Sequence, residues 1–509
     1  MKLLLVVVDG ASPRVFCPAV QTGRLPTMQR LAARGVMHSA SVSIFPSITP
    51  AATCTLVTGA YPSEHGIEGA AWLQNASGPV AYYGDDLWVI AREGLGKFLR
   101  DFLRTLNGSR LKVPTLFERI EGAGLRAASL NYLIYRGLRE HQVRLPGLVA
   151  MLPGAPAEEA VRGPSILALG TLVDSGLQQG RSHRQKGGPL HRFGMDDEGT
   201  GAVLCALVER GALPDFTVAY FADNDYRSHE AGPVEALSTL DRVDAILGAA
   251  FDRAGGVDAF LRETAVIVTS DHGHCEVLRD TSRSVLRLDE MLRDEVRLGK
   301  LGEPWREADE AMVCPNMRAA QIYLQSFSPG LRDRIASRLL AEPRVDQVMW
   351  RADGSPGRFV VASARGSLTF ERTSDRRALD AFGGAWRWTG DLDAVHARLE
   401  GSRIAFGPYP NAFERIEGAL ASDQSGDIWV TAQPGCEFEA PGGKAHPGGS
   451  SHGALHELDS LSPVIVSGAR RGITLPEHFR SVDVAPLCMD LLGLSPRYRV
   501  GEPRGLFVA

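Results

Sequence analysis

Lysine is scarce in this chain of 509 residues: six occur, against many arginines, and no stretch concentrates basic residues. With a net charge of −5 and an isoelectric point near 6.3, the charge pattern gives no reason to expect nucleic acid or an anionic membrane as the main partner. The lysine deficit matches the bias of a GC-rich genome rather than a function. Long apolar runs are missing too, since no segment approaches the roughly 18–20 apolar residues that a membrane span requires. The seven cysteines stand singly, with no CxxC pair, a pattern that suits a reducing compartment. The N-terminal "MKLLLVVVDG" is not read as a secretory leader, because its apolar run is six residues and ends in Asp-Gly without a small-residue cleavage site. It reads as a first strand, and the protein is expected in the cytoplasm. No internal repeat is visible.

What remains is an ordinary globular composition, 44% hydrophobic and 23% charged, long enough for roughly two to four domain-sized units. The continuous apolar run Leu3 to Val8 predicts a strand buried on both faces, as in parallel sheets. "LPTMQRLAARGV" predicts a helix with Pro26 near its start and Gly35 near its stop. The alternation continues through a helix "PTLFERIEGAG", strands "RAASLNYL" and "FTVAYF", a helix over about 233–254, and a strand "AVIVTS". Strands alternating with helices predict an α/β fold whose largely parallel central sheet is flanked by helices, with ligands at the carboxyl ends of the strands.

Two stretches, 75–110 and 140–200, are rich in Gly, Pro, Arg and Ser, including "GLQQGRSHRQKGG", and are expected to be cap loops over the sheet. Residues 315–435, with short strands "RAAQIYL", "DQVMWRA", "RFVVASA" and "GSLTFER" around a helix "GLRDRIASRLL", read as an inserted α+β subdomain. The α/β core is then expected over residues 1–280 and 440–509, resuming with "SPVIVSG" and the helical "SVDVAPLCMDLLGL".

Chemistry-bearing residues gather at the expected strand ends. Asp9 closes the first strand. The strand "VIVTS" delivers Asp271, His272 and His274, with Gly273 letting the backbone approach a ligand. "FTVAYF" runs into "ADNDYRSHEAGP", where Asp225 and His229, four residues apart, would share one helical face. "GGSSHGALHELD" adds His452 before another apolar strand. Asp9, Asp225, Asp271, His229, His272 and His452, three carboxylates and three imidazoles, form a mixed oxygen and nitrogen set suited to two divalent ions, Zn²⁺ as the first expectation and Mn²⁺ as the second. Ahead of them lies "FPSITPAATCTLVTG", Phe45 to Gly59, rich in hydroxyls and free of charge. A threonine there carried into a metal cluster would become a nucleophile, since a hydroxyl is weak until a metal or base removes its proton.

The segments "VVVDG", "PSITPAATCTLVTGAYPSEHGI", "DNDYRSHEAGP", "SDHGH" and "SSHGALHELD", in that order, resemble the alkaline phosphatase superfamily, and within it the type I phosphodiesterase/nucleotide pyrophosphatase branch, to which phosphonoacetate hydrolase is a close relative. The resemblance covers residues 1–75, 210–275 and 440–509, and "TLVTGAYPSEHGI" is its most specific element. It implies an alkaline-phosphatase-like core and places the nucleophile at Thr49, six residues before "TLVTG". It implies one metal held by Asp9, Thr49, Asp271 and His272, and another by Asp225, His229 and His452. His274 has no ligand role in the family, and a place behind the ligands or in the loop is expected. His65 is expected to pack in the turn after the nucleophile helix, and Asp241 and Asp244 to face away from the chemistry. The implied reaction is in-line attack by Thr49 on a small phosphodiester or nucleotide-like substrate, a phospho-threonine intermediate, and its hydrolysis by water activated at the second metal.

The chain also departs from that pattern. Ala52 stands where nucleotide pyrophosphatases carry an asparagine three residues past the nucleophile, and Pro50 has no N–H to offer. Arg227, between two ligands, is either a phosphoryl contact or a surface arginine. Trp72, Tyr82 and Tyr83 either line a leaving-group pocket or pack in the core. A phosphonoacetate-hydrolase-like or phosphomonoester hydrolase is the alternative reading, weakened by the lysines that a carboxylate substrate would require. A phosphomutase generally has serine at the nucleophile position, and the sulfatase nucleophile motif is absent.

Overall fold

The computed structural model describes residues 1–74, 80–83, 94–145, 160–173, 193–439, 444–468 and 475–495. The stretch "GLQQGRSHRQKGG" and much of the two expected cap loops lie outside the described residues.

The run Lys2–Val8 becomes the middle of an eight-stranded sheet. From one edge to the other the strands are Phe479–Arg480, Gly35–Val42, Leu461–Ser467, Thr264–Thr269, Lys2–Val8, Phe216–Phe221, Ala127–Leu130 and Ile166–Ala168. All pairings are parallel except those made by Leu461–Ser467, which runs against both neighbours. Successive side chains of a strand point to opposite faces, and the sequence fills both. Leu3, Leu5 and Val7 pack on the face covered by helices Thr49–Thr58, Leu116–Gly122 and Val484–Leu491. Leu4, Val6 and Val8 pack on the face covered by helices Pro13–Gln21, Pro26–Ala33, Asp197–Glu209 and Leu237–Asp252.

Register fixes what emerges at the carboxyl edge. Val7 lies opposite both Thr269 and Tyr220, so Asp9, Asp271 and the helix Asp223–Ala231 leave the sheet side by side. The reversed strand Leu461–Ser467 begins at the same edge, which brings the preceding loop with His452 there too.

Gly35 stands just past the stop of the helix, as expected, and has a second reason to be glycine. The helix ends at Ala33, and Gly35 opens the next strand, where a β-carbon would lie 1.9 Å from the Val466 carbonyl oxygen. Only glycine allows that approach.

A second, seven-stranded antiparallel sheet begins at Ala311, in the order Ala311–Asn316, Ala319–Leu324, Ile428–Ala432, Val345–Arg351, Arg358–Ser363, Gly366–Arg372 and Trp386–Gly390. Helix Pro329–Leu340 covers one face through Ile335 and Leu339, and helix Ala412–Leu420 covers the other through Phe413 and Ile416. The turn of its first hairpin reaches the carboxyl edge of the first sheet, where the Arg318 N–H donates to the His452 carbonyl at 3.0 Å.

Candidate active site

Burial singles out one hydroxyl among many. From Ser43 to Thr58 every residue is buried except Thr49. Ser43 donates to the Asp271 carbonyl at 2.6 Å, Ser47 to Ala454 at 3.0 Å, Thr53 to the carbonyl of Thr49 at 2.6 Å, Thr55 to Ala60 at 2.9 Å and Thr58 to Cys54 at 2.8 Å. Their hydroxyls are spent on the backbone. Thr49 opens the helix Thr49–Thr58, and its Oγ1 lies 3.0 Å from His272 Nε2. The positive end of the helix dipole there favours an anionic oxygen.

The expected ligands converge. One group that could hold a metal ion comprises Asp9, Asp271 and His272, another Asp225, His229 and His452, each with its ligand atoms within 4.8 Å of one another. His272 Nε2 is 3.6 Å from Asp9 Oδ1 and 3.4 Å from Asp271 Oδ2. Asp225 Oδ2 is 3.5 Å from His229 Nε2, the helical i,i+4 geometry, and its Oδ1 is 3.6 Å from His452 Nε2. The two groups abut, with the His272 and His452 rings stacked 3.6 Å apart.

The tautomers suit metal binding. His229 Nδ1 faces the Ser450 carbonyl at 2.8 Å, His452 Nδ1 the Ser47 carbonyl at 2.7 Å and His272 Nδ1 the Gly273 carbonyl at 3.0 Å. A carbonyl only accepts, so the proton sits on Nδ1 and each Nε2 turns a lone pair inward. Burial, then the Asp271 and Asp225 carboxylates, push Asp9 well above the ordinary carboxylate range. Burial, then His272, hold His452 well below the usual imidazole value. Asp9 Oδ1, Asp271 Oδ2 and His452 Nε2 are buried with no hydrogen-bond partner among the described residues. Buried lone pairs with no donor are costly, and a divalent cation supplies what they lack. The donor set fits the metals that the resemblance implies.

Residues around the ligands fix them. The Tyr220 hydroxyl donates to Asp9 Oδ2, and Asn224 Nδ2 to the Asp9 carbonyl at 2.9 Å. Asp271 Oδ1 accepts from the N–H of Gly10 at 3.2 Å and that of His272 at 3.0 Å. The Arg318 guanidinium, fully buried, binds the Asp459 carboxylate and the carbonyls of Cys436 and Ala432, while the Asp459 carbonyl accepts from Gly273 at 2.8 Å. These residues escaped sequence reasoning because Tyr220 and Arg318 sit in apolar strand contexts that read as core.

The other residues singled out in the sequence, His274 apart, belong to none of the groups that could hold a metal. Arg227 is exposed and pairs with Glu230 at 3.2 Å. Trp72 and Tyr83 are buried, with their rings 5.7 Å apart and the Arg110 guanidinium over both. Tyr82, half-buried, pairs with Ala71 in the small hairpin beside them. His65 Nε2 lies 3.2 Å from Thr55 Oγ1 in the turn after the helix Thr49–Thr58. Asp244 accepts from the N–H groups of Thr27 and Met28, and Asp241 pairs with Arg24, both away from the sheet edge.

A family profile described as type I phosphodiesterase/nucleotide pyrophosphatase matches residues 3–455. The chain belongs to that family. Its class is phosphoric diester hydrolase. Solved structures agree in fold. Phosphonoacetate hydrolase from Sinorhizobium meliloti, in complex with phosphonoformate, superposes with TM-score 0.57 at 19% identity, covering 97% of this chain and 96% of that one. Human ectonucleotide pyrophosphatase/phosphodiesterase 5 gives 0.57 at 14% identity with full coverage of both chains, and an inactive murine form in complex with AMP gives 0.56 at 15%. These similarities place the family member in the alkaline-phosphatase-like fold. A curated relative, the 2,3-bisphosphoglycerate-independent phosphoglycerate mutase of Wolinella succinogenes, is 39% identical over 72 residues, and the chain spans only 14% of its length. No helix among the described residues is long and apolar enough to cross a membrane.

Proposed function

We propose that this protein hydrolyses a small, nucleotide-like phosphodiester with Thr49 as nucleophile. The observation that carries the reading is the selective opening of Thr49: in a stretch whose other hydroxyls are buried and bonded to carbonyls, its Oγ1 alone faces the carboxylate and imidazole cluster. Asp9, Asp271 and His272, with Thr49, would hold one divalent ion, and Asp225, His229 and His452 a second. Bound there, Zn²⁺ or Mn²⁺ would supply Lewis acidity that acidifies the threonine hydroxyl and neutralises phosphoryl charge.

The protein's own residues orient the reaction. Thr49 Oγ1, held at the helix N-terminus, forms a bond to phosphorus as the bond to the leaving oxygen breaks, leaving a phosphoryl group on Thr49 that keeps its second ester. Water then bonds to phosphorus as the Thr49 ester breaks, releasing the monoester and restoring the hydroxyl. Pro50 and Ala52 offer the phosphoryl oxygens nothing, since Pro50 has no N–H and the Ala52 N–H donates to the Ile48 carbonyl at 2.9 Å. We read residues 315–435 as a subdomain inserted in the catalytic core. None of the seven cysteines is joined in a disulfide, which supports a reducing, cytoplasmic setting.

The test is hydrolysis of bis-p-nitrophenyl phosphate and of p-nitrophenyl phosphate by the zinc- and manganese-loaded protein, each beside Thr49→Ala. Diester turnover well above monoester turnover, lost in the variant, is expected. A preference for the monoester would favour a phosphatase or phosphonatase instead.

A further inference from the structure

We propose that His274 is an additional metal ligand, its Nε2 joining Asp225, His229 and His452 so that this group becomes a centre of three imidazoles and one carboxylate. The inference rests on the reading of the cluster as a metal site, and it gives His274 a direct role where the sequence led us to expect one behind the ligands.

Position is the first argument. His274 is fully buried, with Nε2 2.8 Å from Asp225 Oδ1, and it forms a third potential ligand group with Asp225 and His272. Its ring lies 5.0, 5.6 and 5.2 Å from those of His229, His272 and His452, steeply inclined to each, so it presents an edge rather than a stacked face. Gly10 makes room for it. A β-carbon on Gly10 would lie 2.4 Å from His274 Nε2 and 3.1 Å from Asp225 Oδ1, and the residue's φ of +61° already favours glycine.

Hydrogen counting is the second. Three contacts run in series: Asp225 Oδ1 to His274 Nε2 at 2.8 Å, His274 Nδ1 to Ser450 Oγ at 3.0 Å, and Ser450 Oγ to the Ser228 carbonyl at 2.6 Å. Each needs one hydrogen, while Ser450 and a neutral imidazole supply one each. The series is one short. The Ser450 hydrogen goes to the carbonyl, the closest contact and one that can only accept. By the same two criteria the imidazole hydrogen of the metal-free protein sits on Nε2, donating to the Asp225 carboxylate at 2.8 Å, and the Nδ1 contact with Ser450 Oγ is the one left without a hydrogen. A cation shared with Asp225 would take the Nε2 lone pair and move that hydrogen to Nδ1, where it completes the contact with Ser450. His229, His272 and His452 show the same pattern, Nδ1 tied to an oxygen and Nε2 turned inward. A nitrogen-rich set of this kind favours Zn²⁺ over Mn²⁺.

The test titrates metal-free full-length protein with Zn²⁺ and Mn²⁺ by calorimetry, and with Co²⁺ by visible absorption, for wild type and His274→Gln. Glutamine keeps an N–H able to reach Asp225 and removes the imidazole. The proposal predicts two ions in both proteins, a Zn²⁺ affinity at least tenfold weaker in the variant, a Mn²⁺ affinity changed less than threefold, and an altered Co²⁺ spectrum. Zn²⁺ binding within threefold of wild type with an unchanged Co²⁺ spectrum would overturn it and leave His274 as a hydrogen-bond partner of Asp225. A wild type that binds no ion would sink the metal-site reading itself. Should the variant misfold, ¹⁵N-histidine-labelled wild type loaded with ¹¹³Cd decides: four cadmium-coupled Nε2 signals support the proposal, three overturn it.

Discussion

Replacing Arg318 with methionine should damage the metal site from the side of the second sheet. Both partners of the Arg318–Asp459 ion pair are fully buried, and the guanidinium also holds the carbonyls of Cys436 and Ala432 at 3.0 Å. Removing one partner of such a pair costs about 3–5 kcal/mol, because the other charge is left in a low-dielectric interior. Burial already pushes the Asp459 carboxyl above its ordinary value, so in Arg318→Met it would take up a proton rather than stay charged. Asp459→Asn in the Arg318→Met background should then add little, so the coupling in a double-mutant cycle should approach the cost of breaking the pair from the other side, about 3–5 kcal/mol. The damage should reach the site, since Asp459 receives the Gly273 N–H and the Arg318 backbone holds the His452 loop. Urea unfolding of the four proteins of the cycle measures the coupling, and calorimetric zinc titration measures the effect on the site. Additive single effects under about 1 kcal/mol, with unchanged zinc affinity, would refute the reasoning.

Two further outcomes are expected. Burial pushes the Glu68 carboxyl up to about 8, so the folded protein keeps a proton that the unfolded chain releases above about pH 4.5. Stability should therefore fall between about pH 4.5 and 8, and Glu68→Gln should remove that slope, gaining on the order of 4 kcal/mol at pH 8.5 and little at pH 5. Urea midpoints at the two pH values check this, and an equal gap at both would contradict it. Tyr220→Phe removes the hydroxyl that orients Asp9, and zinc titration should show affinity lower by about 10–100-fold, the usual cost of losing a group that positions a ligand.

The parts of the site legible in the sequence were those written locally. Continuous apolar runs marked the strands ending at Asp9 and Asp271, because strands buried on both faces need no alternation. The four-residue spacing of Asp225 and His229 gave their shared helix face directly. Gly35 marked the end of its helix, while its close approach to the Val466 backbone was not legible because that partner lies far along the chain. Trp72 and Tyr83 could be pocket or core on sequence alone, and their packing under Arg110 depends on residues far along the chain. Tyr220, Arg318 and Ser450 were invisible for the same reason: their partners stand 211, 141 and 222 residues away. No periodicity encodes such pairs. The choice of Thr49 among neighbouring hydroxyls came from resemblance, and in the structure Thr49 is the hydroxyl of that stretch that is not buried.

The most direct test of the account is to trap the adduct on Thr49. Metal-loaded protein would be mixed with bis-p-nitrophenyl phosphate, quenched in acid within one turnover, digested and read by mass spectrometry. The account predicts a nitrophenyl-phosphoryl group on the peptide containing Thr49, and no adduct or turnover in Thr49→Ala that still binds two ions. Diester hydrolysis by Thr49→Ala at the wild-type rate, or an adduct on another residue, would contradict it.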